Sequence, residues 1–440
     1  MKKKSPNVKA FLREHWGAFI IMALLLAIRL IALHSLGFNY SLGSDDMSYV
    51  KSGIYFAETG TITMHDTYPS AQIMPGMTVL IGILDRIVGQ GPALWITLKL
   101  LWIFMGTLTA WFIYRSVLIF APKWCGLLAI LPLFRADFIW TDNLILAETP
   151  FMLALTALIY FTLMMGKSPG YRYFWGAAAC YMAALLLKAN IALYPLFALA
   201  YLLFLKYDGK LLFRQCILLA CIVLCFVVPW SVRNYVQFRA FVPLTYGAGN
   251  PALLGTYQGI GYPSDEELDY ETNVEHVVRE KYAHCYQEDG EVQPRYARYI
   301  RRREDAVKAA YRQRAWAEKD WKSMLYSYAV LKPKMMVNGI FYWEQILNIK
   351  GSWVLLLQKL NTCLCILAVL LSLVLKKHRK PVFFLAVTYA AHIYIYAMTY
   401  AFGRYNASLM SLRYILIGLG AGIIAEFLKN YVSRQPEQQA

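Results

Sequence analysis

Acidic side chains occur where the chain leaves or enters long apolar stretches, which is where a membrane enzyme could hold its reacting groups. Asp45 and Asp46 follow the first apolar stretch, and Glu148 precedes a later one, shortly after Asp142. A carboxylate in such a position can act as a general base toward a hydroxyl. It can instead cap a helix by accepting the free N–H groups of the first turn. Position alone favours a capping or loop role for the first pair and for Asp142, whereas both roles are equally supported for Glu148.

Three isolated basic residues, Lys188, Arg233 and Arg404, stand near the ends of apolar stretches on the same predicted side as these acids. Fixed positive charge in a cavity at that depth suits a phosphate group. A single cation more commonly extends to the lipid head groups. Three cations on the outer side run against the usual excess of positive charge in cytoplasmic loops, which favours phosphate binding.

Composition indicates which elements must position these residues. Of the 440 residues, 58% are hydrophobic and 16% are charged, and the mean hydropathy is +0.41, far above that of a water-soluble domain. The apolar residues form stretches long enough to cross a hydrocarbon layer of about 30 Å as helix, in which each backbone polar group is satisfied within its own segment. The sequence therefore predicts an all-α polytopic membrane protein and excludes a water-soluble enzyme.

The distribution of lysine and arginine orients the predicted helices, because these residues are more frequent in cytoplasmic loops. The basic segment from Lys2 to Arg13 puts the N-terminus in the cytoplasm, and Lys429 with Arg434 puts the C-terminus there. Met74–Val88 is short and interrupted by charges, so we predict an amphipathic helix at the outer surface. About ten spans then bring every short basic loop to one side: Gly17–Leu36, Pro92–Tyr114, Trp124–Trp140, Thr149–Met165, Phe174–Leu187, Asn190–Leu205, Gln215–Trp230, Ser352–Leu375, Pro381–Tyr400 and Leu409–Leu428.

The predicted membrane crossings divide the chain into three parts. Residues 1–230 form an N-terminal transmembrane catalytic module whose acidic first outer loop is residues 37–73. Residues 231–351 form a large outer loop with a helix-like stretch from Ala297 to Tyr328, and residues 352–440 form the C-terminal transmembrane helices. Cytoplasmic loops that face anionic head groups account for most of the net charge of +17, so we predict no nucleic-acid partner.

Short motifs follow one another in a fixed order along most of the chain. They are Asp45, Asp46 and Tyr49; Tyr68-Pro69 through Pro75-Gly76 to Leu80; Glu148-Thr149-Pro150-Phe151; Leu187-Lys188-Ala189-Asn190; Pro229-Trp230-Ser231-Val232-Arg233-Asn234 with Phe241-Val242-Pro243; and Gly403-Arg404-Tyr405. In this order they resemble the GT-C class of membrane glycosyltransferases, and most the branch with protein O-mannosyltransferases and the lipid A aminoarabinose transferase. The second acid is Asp46, where that family typically has Glu.

The resemblance in motif order implies a GT-C-like bundle of about ten transmembrane helices, and it implies an inverting glycosyltransferase. Such an enzyme moves a sugar from a polyprenyl-phosphate donor to an acceptor hydroxyl on the extracytoplasmic face, here of a bacterial plasma membrane. Asp45 would be the general base, and the cations would stabilise charge on the departing phosphate. The implied site residues are the catalytic acids Asp45, Asp46 and Glu148 and the substrate-binding residues Tyr49, Lys188, Arg233 and Arg404.

The predicted partners are a polyprenyl-phosphate-linked sugar and membrane lipid, with a lipid, a glycan or a protein as acceptor. No cofactor is certain: two outer acids could share Mg²⁺ or Mn²⁺, but His65 and Asp66 lack a metal-ligand spacing, so no metal site is assigned. Two other functions stay open. A transporter or flippase of lipid-linked saccharide would also need outer cations, with Lys99 as the main candidate inside a span. A non-enzymatic envelope assembly protein would bind its partners through the large outer loop.

Overall fold

The computed structural model describes residues 8–434, and the backbone of this part is helical with no β-sheet. The all-α fold class predicted from composition is therefore confirmed. Lys2, Lys3 and Lys4, which contribute to the predicted orientation of the N-terminus, lie outside the described residues.

Ten helices of the described chain precede the region predicted to be the large outer loop, which we call the outer region. α4 begins with proline at its first position, where the missing N–H has no helical partner to lose. α10 is capped by Asp208, whose carboxylate accepts the N–H of Leu211 at 2.6 Å. The ten are α1 (Val8–Leu36), α2 (Asp45–Thr59), α3 (Gly76–Val88), α4 (Pro92–Leu118), α5 (Lys123–Ile130), α6 (Ala136–Thr141), α7 (Glu148–Lys167), α8 (Tyr171–Leu187), α9 (Tyr194–Phe204) and α10 (Gly209–Phe238).

The outer region that follows contains one long helix among shorter ones. It comprises α11 (Gly249–Gly255), α12 (His276–Lys281), α13 (Ala297–Tyr326) and α14 (Lys332–Asn338). The aromatic rings of Phe238, Tyr246 and Tyr299 contact one another with centroids 5.0 to 5.3 Å apart. Because Phe238 ends α10 and Tyr299 lies on α13, this cluster attaches the outer region to the end of a membrane helix.

Four helices complete the described chain and close the bundle. They are α15 (Gly351–Val374), α16 (Arg379–Ala397), α17 (Gly403–Ala407) and α18 (Met410–Arg434). α18 packs against α4, α5, α15 and α16, so the last helix lies against both early and late elements. Residues far apart in sequence thereby share one core.

Six helices in the described part are long and apolar enough to cross a membrane: Lys9–Leu36, Pro92–Leu118, Glu148–Lys167, Gly209–Phe238, Gly351–Val374 and Met410–Asn430. Each corresponds to a predicted span. The other four predicted spans are helical, in α5 with α6, α8, α9 and α16, but they do not reach that length and hydropathy. The total of about ten crossings stays a prediction.

The predicted span from Trp124 to Trp140 is interrupted. A 3₁₀ turn, Leu131–Phe134, separates α5 from α6. Pro132 lies in this turn, where its ring and missing N–H prevent the α-helix from continuing. Arg135 follows with an extended backbone (φ −61°, ψ 140°). The predicted span therefore consists of two helices joined by a turn, and the break lets the chain carry charged side chains into the bundle.

Buried ion pairs hold this broken segment in place. Arg29, which is fully buried in α1, donates from Nε to Oδ2 of Asp142 at 2.6 Å. Thr149 donates to the other carboxylate oxygen of Asp142 at 2.7 Å. Arg135 pairs with Asp137 at 2.6 Å. Because an unpaired charge inside a bilayer is costly, these pairs fix α1 against the segment that leads into α7.

The predicted surface helix Met74–Val88 corresponds to α3, which forms a tight hairpin with α2. A side chain on Gly53 would place Cβ 2.4 Å from Ile81, and one on Gly82 would place Cβ 2.9 Å from the carbonyl oxygen of Gly53. Only glycine at both positions permits this approach. The hairpin sets the direction in which the first turn of α2 faces the rest of the bundle.

The pair between Arg29 and Asp142 gives a prediction for stability. Asp142→Asn should lower the free energy of unfolding by about 3 kcal/mol, because Arg29 stays buried without a counter-charge. The double variant Arg29→Met/Asp142→Asn should regain much of that loss. The measurement is the midpoint temperature at which the detergent-purified protein loses its monodisperse elution peak.

Glu14→Gln provides the control, since Glu14 pairs at 3.4 Å with Lys123 where both side chains are more than half exposed. Its effect should be below about 1 kcal/mol. Equal midpoints for Asp142→Asn and the double variant would contradict the buried-pair explanation.

Candidate functional site

The first outer loop turns into α2 around the carboxylate of Asp46. Its Oδ2 accepts the N–H of Leu42 at 2.7 Å, and its Oδ1 accepts the N–H of Ser44 at 3.1 Å. Asp46 is only 1% exposed. Both oxygens are thus engaged with the backbone, so the contacts of Asp46 fix the shape of the loop.

Asp45, the neighbouring acid, points elsewhere. Ser44 occupies the N-cap position of α2 but makes no side-chain capping bond, and Asp45 makes none either. Oδ2 of Asp45 instead accepts a hydrogen bond from Nη1 of Arg404 at 2.8 Å, and the Asp45 side chain is 37% exposed. Successive residues on a helix point about 100° apart, which allows one acid to face the loop and the other to face a cation.

Arg404 is the centre of a charge cluster formed by Asp45, Glu148, Lys188 and Arg404. Besides Asp45, Arg404 contacts Glu148, whose Oε1 accepts from Nε at 2.9 Å. The same Oε1 accepts from Nζ of Lys188 at 2.8 Å. The structure therefore brings together four of the seven predicted site residues, from positions up to 359 residues apart.

Each member of the charge cluster is placed by the end of a helix. Glu148 is the first residue of α7, and Lys188 follows α8 with an extended backbone (φ −145°, ψ 124°). Arg404 lies in the short α17, whose first residue is Gly403. A Cβ on Gly403 would lie 2.5 Å from the carbonyl oxygen of Ile340, so the close approach of these backbones requires glycine. At the end of a helix no further turn follows, and the last backbone groups lack intrahelical partners. A charged side chain there can therefore extend into a cavity.

Burial and charge act in opposite directions within the charge cluster. Burial alone lowers the pKa of Arg404, but the carboxylates of Glu148 and Asp45 outweigh it and raise that pKa above its usual value. Burial lowers the pKa of Lys188, although Glu148 opposes the shift. The side chains of Glu148, Lys188 and Arg404 are 2%, 14% and 12% exposed, which leaves Asp45 as the member most open to solvent.

His65 lies beside the open carboxylate. Its Nε2 is 3.7 Å from Oδ1 of Asp45, and its Nδ1 is 2.7 Å from the hydroxyl of Ser48. Burial lowers the pKa of His65, with Arg298 as a further cause, and this shift favours the neutral imidazole. A neutral imidazole can accept or donate a hydrogen bond next to Asp45. It does not compete with Arg404 for the negative charge of the Asp45 carboxylate.

A cavity of about 400 Å³ opens beside the charge cluster. Tyr49 and Lys188, two predicted substrate-binding residues, line it, and so does Tyr405 next to Arg404. Four buried oxygens in this neighbourhood have no hydrogen-bond partner among the described residues: Oε1 of Gln72, Oδ1 of Asn190 and the hydroxyl of Tyr396, which line the cavity, and Oε2 of Glu148. Buried acceptors normally find a donor, so these atoms indicate a place for a hydroxyl-bearing ligand. The cavity is further lined by Ile73, Met74, Leu187, Ala189, Asn190, Thr245, Gly247, Ala248, Pro251, Ile395, Tyr396 and Thr399.

Arg233, the remaining predicted cation, makes its contacts outside the charge cluster. Its Nη1 donates to the carbonyl oxygen of Ser70 at 2.9 Å, and its Nη2 donates to that of Ile62 at 3.3 Å. The guanidinium also lies over the ring of Trp230, 5.0 Å from its centroid. These contacts attach the end of α10 to the first outer loop.

Two fully buried cations support the loops that carry the site: Arg29, which the sequence analysis did not consider, and Lys99, which it assigned to the alternative transporter function. Arg29 bonds one oxygen of Asp142, and the other oxygen accepts a hydrogen bond from Thr149, the residue that follows Glu148. The position of Arg29 inside the first span could have indicated a buried partner, but nothing in the spacing identifies which one. Lys99 donates to the carbonyl oxygens of Tyr40 and Asn143, so it links the first outer loop to the segment before α7.

The acids around the site do not fit a divalent ion. Within residues 8–434, no group of three or more His, Cys, Asp or Glu side chains lies close enough to hold a metal. Asp45 and Glu148 are bridged by Arg404, and Asp66 pairs with Arg298 at 2.9 Å. A guanidinium therefore supplies the positive charge that a metal would otherwise bring between the two carboxylates.

No protein-family model and no curated protein sequence matches this chain. Among solved structures, the archaeal oligosaccharyltransferase AglB from Archaeoglobus fulgidus, in complex with an inhibitory peptide and a dolichol-phosphate, matches with a TM-score of 0.55 and 13% identity. The match covers 97% of this chain and 52% of that one, so this chain spans about half the length of AglB. ArnT from Cupriavidus metallidurans bound to undecaprenyl phosphate matches with a TM-score of 0.42 and 15% identity, over 91% of this chain and 77% of that one. The match to AglB confirms the predicted GT-C-like fold.

The different contacts of the two adjacent acids give a second prediction. Asp46→Ala removes two hydrogen bonds between a buried carboxylate and the backbone of its loop and should lower the free energy of unfolding by about 2 kcal/mol. Asp45→Ala removes a partly exposed ion pair and should cost less than about 1 kcal/mol. Thermal unfolding midpoints of the two variants in the same detergent test this difference, and a larger loss for Asp45→Ala would contradict it.

Proposed function

We propose that this protein is an inverting glycosyltransferase that moves a sugar from a polyprenyl-phosphate donor to an acceptor hydroxyl on the extracytoplasmic face. The observation that carries the proposal is the charge cluster beside the cavity of about 400 Å³. It combines one open carboxylate with two cations, which are the groups that such a transfer needs. The shared fold with AglB, an oligosaccharyltransferase whose structure holds a dolichol-phosphate, supports a lipid-phosphate donor.

Asp45 is proposed as the general base. As the acceptor oxygen attacks the anomeric carbon, the carboxylate takes the hydroxyl proton, and the bond between that carbon and the phosphate oxygen breaks. The bonding electrons leave with the polyprenyl phosphate. Because attack and departure occur on opposite faces of the carbon in one displacement, the configuration inverts. Arg404 holds one Asp45 oxygen at 2.8 Å, which orients the other toward the open side.

Lys188 and Arg404 are proposed to stabilise the departing phosphate. Arg404 uses Nε and Nη1 for the two carboxylates, and its Nη2 makes no hydrogen bond with any described residue. That nitrogen and Lys188 could donate to phosphate oxygens as negative charge grows. Glu148 holds both cations in position, and Tyr49 is proposed to contact the substrate from the cavity wall. No nucleotide pocket is needed, because the sugar arrives already activated on a lipid.

Asp46 and Arg233 are proposed to act through the loop. Asp46 holds the turn before α2 by its two backbone contacts, and Arg233 holds residues around Ile62 and Ser70. Both hold the loop that carries Asp45 in place beside the charge cluster. The acceptor class, whether lipid, glycan or protein, is left to the outer region between α10 and α15, which lies beside the same loop.

The two alternative functions gain no specific support. Lys99, the strongest sign of a transporter, is bound to the carbonyl oxygens of Tyr40 and Asn143 and so stabilises two loops. The outer region could bind a partner in a non-enzymatic assembly protein, but that function would not require an open acid beside two buried cations. The distribution of basic loops supports a site that faces the outside of a bacterial plasma membrane, with both termini in the cytoplasm.

Asp45→Asn should lower the rate of transfer by about 10²- to 10⁴-fold, because an amide cannot take the acceptor proton. The measurement is release of free polyprenyl phosphate from a panel of radiolabelled polyprenyl-phosphate sugars, with envelope extract supplied as acceptor. Asp66→Asn is the matched control: Asp66 lies in the same loop but pairs with Arg298, and its variant should keep most activity. Retained activity in Asp45→Asn would remove it from the base role, and no consumption of any donor by the wild type would favour a transporter or an assembly protein.

A chelator should leave the rate of transfer unchanged. Because Arg404 bridges Asp45 and Glu148, the proposed chemistry proceeds without a divalent ion. The test compares polyprenyl phosphate release before and after treatment with EDTA. Loss of activity that Mg²⁺ or Mn²⁺ restores would show that a metal does take part.

A further inference from the structure

A second basic site lies at the far end of the bundle from the charge cluster. α7 begins at Glu148 and ends at Lys167 after 20 residues, a length of about 30 Å. The loop between α15 and α16 reaches the same end as Lys167. The two sites are therefore separated by about the thickness of a hydrocarbon layer.

The cavity at this end measures about 400 Å³, and we call it the basic cavity. Within residues 8–434, none of its lysine or arginine side chains forms an ion pair with a carboxylate, whereas the adjacent Lys377 pairs with Glu426. No carboxylate of the described protein neutralises the positive charge of the cavity, and three of its cations donate only to backbone carbonyl oxygens, those of Ile119, Leu373 and Phe204. Its basic and histidine lining residues are Lys167, Lys376, His378, Arg379 and Lys380.

The loop that carries most of these residues has a defined conformation. Lys376 (φ 57°) and His378 (φ 49°) both adopt the left-handed region, which residues other than glycine rarely enter. Ser372 donates its hydroxyl to the carbonyl oxygen of Lys377 at 2.7 Å, which fixes the turn. α16 then begins at Arg379 with no side-chain cap and no acid in its first turn. Free N–H groups and the positive end of a 19-residue helix add to the attraction for an anion.

An apolar groove of about 310 Å³ continues from the basic cavity. It runs along α9 and α16, and Tyr201, Arg379 and Lys380 line both spaces. The other lining residues of the groove are Phe197, Ala200, Phe204, Leu373, Phe383, Phe384 and Val387. A ligand that fills both spaces must carry an anionic head group joined to a long apolar chain.

We propose that the basic cavity and the apolar groove together bind one anionic phospholipid of the membrane. Its head-group phosphate would lie among Lys167, Lys376 and Arg379, and one acyl chain would lie along Ala200 and its neighbours in the groove. Charge complementarity and the shared lining residues favour this occupant over a free phosphate, which would leave the groove unused. Basic pockets between membrane helices are known to suit anionic head groups.

The experiment measures lipid binding to the purified full-length chain by native mass spectrometry. Phosphatidylglycerol and phosphatidylcholine with identical acyl chains are added separately to the detergent-solubilised protein. The wild type should bind phosphatidylglycerol about tenfold more tightly. Lys167→Gln/Lys376→Gln should abolish this preference. Lys210→Gln/Arg214→Gln removes the same charge from exposed positions outside both spaces and should retain it.

A groove variant separates a bound lipid from a bound small anion. Ala200→Trp fills the groove and should weaken phosphatidylglycerol binding about tenfold. The lipid-exposed Val228→Trp on α10 should not, since its side chain is 52% exposed and outside the groove. Glycerol phosphate, which has a head group but no acyl chain, should fail to displace the lipid at millimolar concentration.

Two results would overturn the proposal. Equal loss of preference in both charge variants would mean that the lipid responds to general surface charge. Displacement of the lipid by glycerol phosphate, together with full binding in Ala200→Trp, would mean that the basic cavity takes a soluble anion.

Discussion

The contact of one guanidinium with two carboxylates is the interaction on which the rest of the site depends. Arg404 bonds Asp45 of the first outer loop and Glu148 at the start of α7 at once. Glu148, which is 2% exposed, could not be held at this depth without a cation, because burial of an unpaired carboxylate costs several kcal/mol. The late segment that carries Arg404 therefore determines the arrangement of two early ones.

Buried charges elsewhere in the bundle are also paired with polar groups. Arg29 and Asp142 form an ion pair in the bundle, and Lys99 takes carbonyl oxygens where no acid is available. Each of these contacts ends on a loop that leads to Asp45 or Glu148. The polar interior is thus a support for the cluster, arranged so that the outermost carboxylate alone keeps a free, solvent-facing oxygen.

Much of this could be predicted from the sequence, because hydropathy and charge are properties of local segments. The helical class and the long apolar helices follow from such local signals, whereas the candidate site residues were implied by the resemblance in motif order. The pairing of Arg29 with Asp142 could not be predicted, since the two residues lie 113 positions apart and no sequence spacing links them. Nor could the sequence separate Asp46, bound to the backbone, from Asp45, because adjacent residues share every local feature except the direction of their side chains.

The position of Arg404 in the chain also has a consequence for biosynthesis. Glu148 and Lys188 leave the ribosome and can meet while the remaining helices are still being made, whereas Arg404 follows Glu148 by 256 residues. Until α17 is inserted, Asp45 has no guanidinium to orient it. A partly synthesised chain would thus hold its acids and one lysine without Arg404, so the complete charge cluster would form only in the last stage of membrane insertion.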